Sequence, residues 1–288
     1  MSTGLYSKHL NNPKVRVARD VIISLSLLFF AIVVLFPLIY MICWSFGPNI
    51  DLPYASNELF PKIWTFESYK GFFGNSPYSM RWLLNSLIVA IATVVCNVVF
   101  ASLAGYAFSK INFHGNHFLF YLVLIGMMLP YQVTQVPLYI LMVNKFKLSN
   151  TYVALILPGC VTPYNIFLSK QFFTGIPTSL IENAKVEGAS QFRIFRSIIL
   201  PLSKTVLAVM AINTFVSSWN NFFWPFLITT KEYMYTIQIG LKTFQFGNSS
   251  LFSAMMAGAT ISSLPMFILF FSLQKYFLEG VTVGAVKG

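Results

Sequence analysis

Apolar residues recur along this sequence in six long runs, separated by shorter polar segments. Each run is long enough for the roughly 20 residues that a helix needs to cross the hydrocarbon layer of a membrane. The pattern predicts six transmembrane helices, at residues 21–46, 82–109, 118–143, 151–173, 202–227 and 254–277. We therefore expect an all-α polytopic membrane protein.

The composition supports this interpretation. The 288 residues are 56% hydrophobic, 17% aromatic and only 9% charged, with a mean hydropathy of +0.69. Soluble proteins carry about a quarter charged residues, so this chain lacks the polar surface that a soluble domain needs. The formal net charge of +11 does not indicate nucleic-acid binding, because the basic residues are spread among loops rather than clustered on one face.

The distribution of basic residues predicts the orientation in the membrane. An even number of crossings puts both termini on one side, and a cytoplasmic N-terminus places twelve of the 19 Lys and Arg residues on the cytoplasmic side. We therefore expect both termini in the cytoplasm. The segments are then a cytoplasmic N-terminus (1–20), a first span (21–46), an extracellular loop (47–81), a core of five spans (82–277) with a cytoplasmic loop (174–201), and a cytoplasmic tail (278–288).

The predicted spans offer no carboxylate or histidine to carry a coupling ion. All eight carboxylates lie outside the spans or at their ends: Asp20, Asp51, Glu58, Glu67, Glu182, Glu187, Glu232 and Glu279. Proton-driven transporters usually keep a carboxylate or histidine within the membrane. If this protein moves a solute uphill, the energy is expected to enter elsewhere.

Catalytic and metal chemistry are also not indicated. His114 and His117 have helical spacing, but they lie in a short loop with no acid or cysteine nearby to complete a site. The three cysteines show no paired spacing typical of a metal site or a disulfide framework. We expect no metal site and no catalytic residues.

Uncharged polar and aromatic residues are concentrated in the third and fifth spans. Buried amides are costly unless they face other helices or a wet cavity, and prolines beside them can kink or break the spans. The combination predicts a solute pathway, and rings with amides suit a neutral polyhydroxylated solute. Hydrogen bonding between helices is an equally good explanation for single residues. The pathway candidates are Tyr131, Gln132, Gln135, Asn213, Ser217, Trp219, Asn220, Asn221 and Trp224.

The cytoplasmic segment is predicted to contain two short helices. Ser179 followed by Glu182 has the spacing of a capping box, and Gly188 is a natural C-terminal stop. Residues 189–199 predict a second helix, ended by Pro201. The small Ala184, with acids and bases around it, suits docking into a groove on another protein.

This segment carries a family resemblance. The sequences Glu182-Asn183-Ala184, Glu187-Gly188-Ala189 and Leu200-Pro201-Leu202 resemble the EAA loop of the permease subunits of bacterial ATP-binding-cassette (ABC) importers. The stretches 219–225 and 279–288 are similar to the carbohydrate-importing branch, which includes the second permease subunit of maltose transporters. The resemblance runs from about residue 82 to the C-terminus.

The resemblance implies a type I ABC importer permease fold and a heteromeric assembly. The expected partners are a second permease subunit, two ATPase subunits that use ATP and Mg²⁺, and an extracellular solute-binding protein; this chain itself would bind no cofactor. Residues 182–188 would form the coupling helix. The implied ATPase-coupling residues are Glu182, Ala184, Glu187, Gly188, Ala189, Lys287 and Gly288, and the implied binding-protein contacts are Thr243, Phe244, Gln245 and Asn248.

Two positions depart from the family pattern, which usually has alanine in place of Asn183 and aspartate in place of Asn221. The chain contains no GxxxxGK[ST] phosphate-binding loop, so we expect a non-catalytic subunit. The resemblance implies a location in a bacterial plasma membrane. The sequence leaves one alternative open: an ion-coupled secondary transporter that acts alone on a neutral polar solute.

Overall fold

A computed structural model of the chain describes residues 13–48, 58–244 and 251–285, and these residues contain helices and no strand. The chain divides into two compact units, Met1–Phe72 with Asn248–Thr260 and Phe73–Gly247 with Ile261–Gly288. The predicted all-α class is confirmed.

The helices have the following bounds. They are α1 (Pro13–Ser45), α2 (Glu67–Asn75), α3 (Ser79–Lys110), α4 (Asn116–Met128), α5 (Tyr131–Tyr139, continued by a π-helical segment, Ile140–Lys145), α6 (Tyr152–Ile156, continued by a 3-10 turn, Leu157–Gly159), α7 (Pro163–Thr174), α8 (Thr178–Val186), α9 (Gln191–Ile194, continued by a π-helical segment, Phe195–Ile199, and a last turn, Leu200–Leu202), α10 (Lys204–Trp219), α11 (Phe223–Ile228), a 3-10 turn (Glu232–Met234), α12 (Ile237–Thr243) and α13 (Phe252–Ala285).

Among the residues that the structure describes, three helices are individually long and apolar enough to cross a membrane: α1, α3 and α13. They have 33, 32 and 34 residues and correspond to the first, second and sixth predicted spans. Three further spans are obtained if each pair of successive helices that meet at a bend counts as one crossing. These pairs are α4 with α5, α6 with α7, and α9 with α10. The structure therefore accommodates six crossings by length and composition.

The third and fourth predicted spans are not single straight helices. The chain bends by 99° between α4 and α5, and by 42° between α6 and α7. Both breaks precede a proline: Leu129 (φ −74°, ψ 126°) and Thr162 (φ −117°, ψ 136°) are extended, as expected of a residue before proline. The expectation that prolines break the spans is confirmed at Pro130.

The straight helix within the fifth predicted span is shorter than that span at both ends. It is α10, which begins at Lys204 after an 82° bend from the preceding helical segment, with which it would form one crossing, and ends at Trp219. The prediction that Pro201 ends the preceding helix is wrong. The helix continues to Leu202 because a π-helical segment precedes the proline and accommodates the missing backbone N–H. The break lies at Ser203.

The second unit is built on close contacts of α3 with α7 and α10. Gly105 of α3 lies against Ser169 of α7, so closely that an added Cβ would lie 2.9 Å from the backbone nitrogen of Lys170. The hydroxyl of Ser169 donates to the carbonyl of Ala101 at 2.9 Å. Small residues thus bring the two helices together, as is common in membrane proteins.

The first unit contains α1, whose large apolar side chains are mostly exposed, including Ile22, Phe30 and Val34. Such a surface suits contact with lipid. Near its end Trp44 is buried beside Phe252, with ring centroids 5.9 Å apart.

Candidate functional site

The second unit contains a cavity of about 830 Å³ beside the break between α10 and α11. Residues of α3, α5, α6, α7, α10 and α11 line it, together with the connections around these helices. The lining residues are Thr93, Tyr131, Leu155, Pro158, Gly159, Thr162, Tyr164, Asn165, Asn213, Thr214, Ser217, Ser218, Asn220, Asn221, Phe222, Phe223 and Trp224. Its volume is within the range of ligand-binding pockets.

The lining combines amides, hydroxyls and aromatic rings, and none of these lining residues is charged. The structure therefore brings six of the predicted pathway residues to one cavity: Tyr131, Asn213, Ser217, Asn220, Asn221 and Trp224. Amides and hydroxyls donate and accept hydrogen bonds without a net charge. The cavity can accordingly accommodate a neutral polar solute.

Asn221 organises the break between α10 and α11. Its Oδ1 accepts a hydrogen bond from the backbone N–H of Trp224 at 3.2 Å, and its Nδ2 donates to the hydroxyl of Tyr131 at 3.3 Å. The first contact caps the first turn of α11. The indole Nε1 of Trp224 donates to the carbonyl of Ala154 at 2.9 Å, so the ring is fixed within the wall.

Three of the predicted pathway residues do not line the cavity. Gln132 is exposed, and Gln135 is fully buried with its Nε2 donating to the carbonyl of Tyr131 at 3.4 Å. Trp219 is buried, stacks on Phe215 with centroids 5.6 Å apart, and donates from Nε1 to the carbonyl of Ser262 at 3.1 Å. These contacts give Gln135 and Trp219 a packing role.

Sequence analysis missed a buried polar network in the wall of the cavity. Asn97 of α3 donates to the carbonyl of Gly159 at 2.8 Å, and Asn165 of α7 donates to Asn97 Oδ1 at 2.6 Å and to Thr214 Oγ1 of α10 at 2.9 Å. A signal existed, because Asn97 is an amide in an otherwise apolar run.

The predicted coupling helix is α8. It begins after Pro177, with no side-chain cap, so the predicted capping box is wrong: Ser179 already lies inside the helix. The prediction that Gly188 ends the helix is confirmed. Gly188 has φ +79°, and its N–H donates to Lys185 O at 3.0 Å while that of Ala189 donates to Ala184 O at 2.9 Å. This is the Schellman arrangement.

The side chains of α8 and of the turn that follows it divide between two environments. Ile181 is buried in an apolar cluster with Phe173, Ile194 and Phe195, and the half-buried Ala184 and Ala189 pack on the same cluster. Glu182 and Glu187 are exposed, and Val186 is 88% exposed. The two alanines thus position the helix, while the acids and Val186 form its outer surface.

Some of the residues predicted to contact partner proteins have little exposed surface, and others lie outside the described residues. Phe244 is only 3% exposed, so its side chain is not available to a partner in this structure. Thr243 donates from its hydroxyl to the carbonyl of Gly240 at 2.7 Å. Gln245, Asn248, Lys287 and Gly288 lie outside the described residues.

The segment that follows α11 is held against α3. Asn85, which is fully buried, donates from Nδ2 to the carbonyls of Tyr233 and Tyr235 at 2.9 and 2.8 Å. Its Oδ1 accepts from the hydroxyl of Tyr152 at 2.6 Å. Trp82 adds a hydrogen bond from Nε1 to the carbonyl of Glu232 at 3.0 Å.

Comparison with known proteins assigns the chain to a family. Residues 97–283, which include α8 and every residue that lines the cavity except Thr93, match the family described as "Binding-protein-dependent transport system inner membrane component". The chain belongs to this family. The resemblance seen in the sequence is thereby confirmed, and the alternative of a transporter acting alone does not fit a family defined by its dependence on a binding protein.

Individual relatives cover nearly the whole chain. The arabinooligosaccharides transport system permease protein AraQ of Halalkalibacterium halodurans is 36% identical over 269 residues, which is 93% of this chain and 96% of the relative. The AraQ protein of Bacillus subtilis is 32% identical over 96% of this chain and 99% of its own. The maltodextrin transport system permease protein MalD of Streptococcus pneumoniae is 33% identical over 96% of this chain and 100% of its own.

A solved structure confirms the fold of this family member. A chain from a bacterial ABC transporter involved in the import of the acidic polysaccharide alginate superimposes with a TM-score of 0.80. The match covers 92% of this chain and 98% of that chain, at 22% sequence identity. The protein is therefore a multi-pass membrane component with the fold of an ABC importer permease.

Proposed function

We propose that this chain is the permease subunit of an ATP-driven, binding-protein-dependent importer of neutral oligosaccharides. It forms half of the translocation pathway and works by alternating access. The observation that carries the proposal is the cavity of about 830 Å³, whose lining residues are uncharged amides, hydroxyls and aromatic rings together with apolar groups. Amides bond sugar hydroxyls, while rings such as those of Tyr131 and Phe223 offer faces on which a sugar ring can stack.

The charge of the cavity favours a neutral substrate over an acidic one. A uronate carboxylate that leaves water is best stabilised by a cationic partner, and none of the lining residues is Lys or Arg. Relatives named as permeases for arabinooligosaccharides and maltodextrin support a neutral saccharide, whereas the structural neighbour is from a system for an acidic polysaccharide.

In this proposal the energy comes from partner subunits. The chain has no phosphate-binding loop, so ATP and Mg²⁺ are used by two ATPase subunits, and this subunit is not an enzyme and binds no cofactor. A second permease completes the pathway, and a binding protein delivers the substrate, with Gln245 and Asn248 as proposed contacts. The N-terminus lies in the cytoplasm with α8 and the tail that carries Lys287 and Gly288.

The packing of α8 suggests how it transmits motion. Its exposed face, with Glu182, Val186 and Glu187, would sit in a groove of the ATPase. Its buried residue, Ile181, belongs to the same apolar cluster as Phe173 of α7 and Ile194 of α9. Packed clusters of this kind move as rigid bodies rather than deform continuously. Displacement of α8 would therefore move the helices that line the cavity.

Reconstitution tests this function. The chain is co-expressed with a second permease, an ATPase and a binding protein from the same organism, and uptake of labelled arabino-oligosaccharides, galacto-oligosaccharides, maltodextrins and an alginate oligomer is measured in proteoliposomes. We expect ATP-dependent uptake of at least one of the neutral oligosaccharides. Uptake by this chain alone under an ion gradient, or uptake of the acidic oligomer only, would contradict the proposal.

The coupling assignment is tested in the same complex. Glu182→Lys reverses an exposed charge, and Gly188→Val forces a β-branched residue into the left-handed region; Gly188→Asn is the matched control, because asparagine tolerates that region. We expect Glu182→Lys and Gly188→Val to uncouple ATP hydrolysis from uptake and Gly188→Asn to retain most activity. Normal coupling in both Glu182→Lys and Gly188→Val would refute the role of α8.

A further inference from the structure

Lys242 of α12 lies over two aromatic rings at once. Its Nζ is 4.7 Å from the ring centroid of Phe222 and 4.9 Å from that of Phe226. The two rings stack with centroids 5.3 Å apart and an interplanar angle of 19°. A lysine ammonium within about 6 Å of a ring centroid is attracted by the electrons of the ring. One cation therefore holds both rings, an arrangement that we call the Lys242 clamp.

The clamp holds part of the cavity wall. Phe222 lines the cavity and belongs to a run of five consecutive lining residues, 220–224, which spans the break between α10 and α11. Phe226 lies one turn further along α11, and its N–H donates to the carbonyl of Phe222 at 3.0 Å. The cation thus contacts both the break and the helix that follows it. Displacement of Lys242 would therefore displace this part of the wall.

The helix that carries Lys242 is closely packed on α3. Ile237, the first residue of α12, donates its N–H to the hydroxyl of Ser86 at 2.8 Å, and both residues are buried. Gly240 lies so close to Trp82 that an added Cβ would overlap the indole ring. Closely packed elements move as units rather than deform continuously. Lys242 therefore extends from a rigid support onto the two rings.

The same helix leads in sequence to the segment that we propose contacts the binding protein. α12 ends at Thr243, and Gln245, a proposed contact, comes three residues after Lys242. A binding protein that docks on this segment acts on the end of α12 that carries the lysine. Docking and the cavity wall are thus connected through one short helix and one side chain.

We propose that Lys242 links docking of the binding protein to the cavity wall, by positioning Phe222 and Phe226 through cation–π contact. It is a positioning residue and is not among the residues that line the cavity. The inference rests on the function proposed above. It adds a route by which a loaded binding protein can change the wall of the cavity that receives its sugar.

The test uses the reconstituted transporter and three variants. Lys242→Met removes the charge and keeps an unbranched stem, whereas Lys242→Arg keeps a cation that can lie over a ring. Lys231→Met is the matched control, because Nζ of Lys231 also lies over a ring, that of Tyr233 at 5.8 Å, and neither residue lines the cavity. ATP hydrolysis and uptake of the oligosaccharide that the wild type carries are measured at increasing concentrations of loaded binding protein. These curves separate the maximal rate from the half-saturating concentration.

We expect Lys242→Met to lower both maximal rates about three- to tenfold, the effect of losing a partly desolvated cation–π contact. The half-saturating concentration of binding protein should stay within about twofold of the wild type, because the docking segment itself is unchanged. Lys242→Arg and Lys231→Met should keep the maximal rates within about twofold of the wild type.

Fluorinated rings separate the cation–π contact from packing. Mono-, di- and trifluorinated phenylalanine at position 222 withdraw electrons from the ring progressively and change its shape little, so they weaken its attraction for a cation. We expect the maximal rate to fall step by step across this series when Lys242 is present. In Lys242→Met the rate should not depend on fluorination.

Four outcomes would overturn the link. They are unchanged maximal rates in Lys242→Met, an equal loss in Lys231→Met, a raised half-saturating concentration as the only effect of Lys242→Met, and the same fluorination series with and without the lysine. A loss of uptake in Lys242→Met for some saccharides only would also overturn it, because the lysine would then contact substrate. If the wild type is stimulated by no binding protein, the proposed function fails. That result is distinct from a failure of the link, in which the wild type is stimulated and the variants equal it.

Discussion

The hydroxyl of Tyr106, near the end of α3, donates a hydrogen bond of 2.7 Å to Oε1 of Gln191, the first residue of α9. The ring of Tyr106 also packs on Phe195, with centroids 5.4 Å apart. Since α9 follows α8 after a short turn, Tyr106 connects α3 to the segment that we propose contacts the ATPase. A polar contact here fixes the relative position of two elements that otherwise meet through apolar packing.

Tyr106→Phe is predicted to weaken coupling without preventing assembly. The substitution keeps the ring against Phe195 and removes only the hydrogen bond, worth about 0.5–1.5 kcal/mol. We expect the ratio of solute transported to ATP hydrolysed to fall several-fold, with normal co-purification of ATPase subunits. The control is Tyr121→Phe, at a side chain that is 62% exposed. An unchanged ratio in Tyr106→Phe would show that the contact does not transmit motion.

Gly105→Ala is predicted to destabilise the packing of α3 on α7. The new Cβ would overlap the side chain of Ser169 and lie 2.9 Å from the backbone nitrogen of Lys170, and such overpacking costs about 1–3 kcal/mol. Gly74→Ala in α2 is the control, because nothing lies within 4 Å of its added Cβ. Thermal unfolding in detergent should show a lower midpoint for Gly105→Ala only. Equal midpoints would contradict the close approach.

The sequence predicted the elements that depend on local chemistry. Apolar run length located the spans, Pro130 marked a break, and Gly188 marked the end of α8, because each effect is decided by a residue and its neighbours. The 99° bend between α4 and α5 was not predictable in size, since a proline removes a hydrogen bond but packing sets the angle. The predicted capping box failed because Pro177 starts the helix before Ser179.

The candidate site was predicted only in part, because the sequence does not show which distant residues meet when the helices pack. Asn213, Ser217, Asn220 and Asn221 are close in sequence and lie along one cavity, so a local cluster found them. Asn97 and Asn165 are 68 positions apart and meet only because α3 packs on α7. Trp219 and Trp224 look equivalent in sequence, yet only Trp224 lines the cavity, because α10 ends between them.

Asn221 is predicted to tolerate aspartate but not alanine. Aspartate keeps an oxygen for the N–H of Trp224 and can accept from the hydroxyl of Tyr131, so both contacts of Asn221 survive. Alanine removes the cap, at a cost of about 1 kcal/mol. Thermal unfolding should place Asn221→Asp near the wild type and Asn221→Ala below it, with Asn220→Ala as the control at an exposed neighbour. If Asn221→Asp were destabilised, the hydrogen bond that the amide donates to Tyr131 would contribute more to stability than the one that Asn221 accepts from Trp224.

Asn85→Asp is predicted to release the segment that follows α11. The buried amide donates to the carbonyls of Tyr233 and Tyr235, and a carboxylate of the same shape cannot donate to either. The change places a carboxylate oxygen against the two carbonyl oxygens and leaves an unpaired charge in a fully buried position. The expected loss of folding stability is about 3 kcal/mol or more.

The loss should appear as local opening, because Trp82 and Ser86 still bond the neighbouring Glu232 carbonyl and Ile237 N–H. Limited trypsin digestion of the detergent-solubilised protein should then cleave after the exposed Lys231 several times faster in Asn85→Asp than in the wild type. Asn112→Asp, at an exposed position, adds the same charge and should leave the rate unchanged. Equal cleavage rates in all three proteins would mean that the other hydrogen bonds suffice to hold the segment, and Asn85 would then serve only to satisfy its own burial.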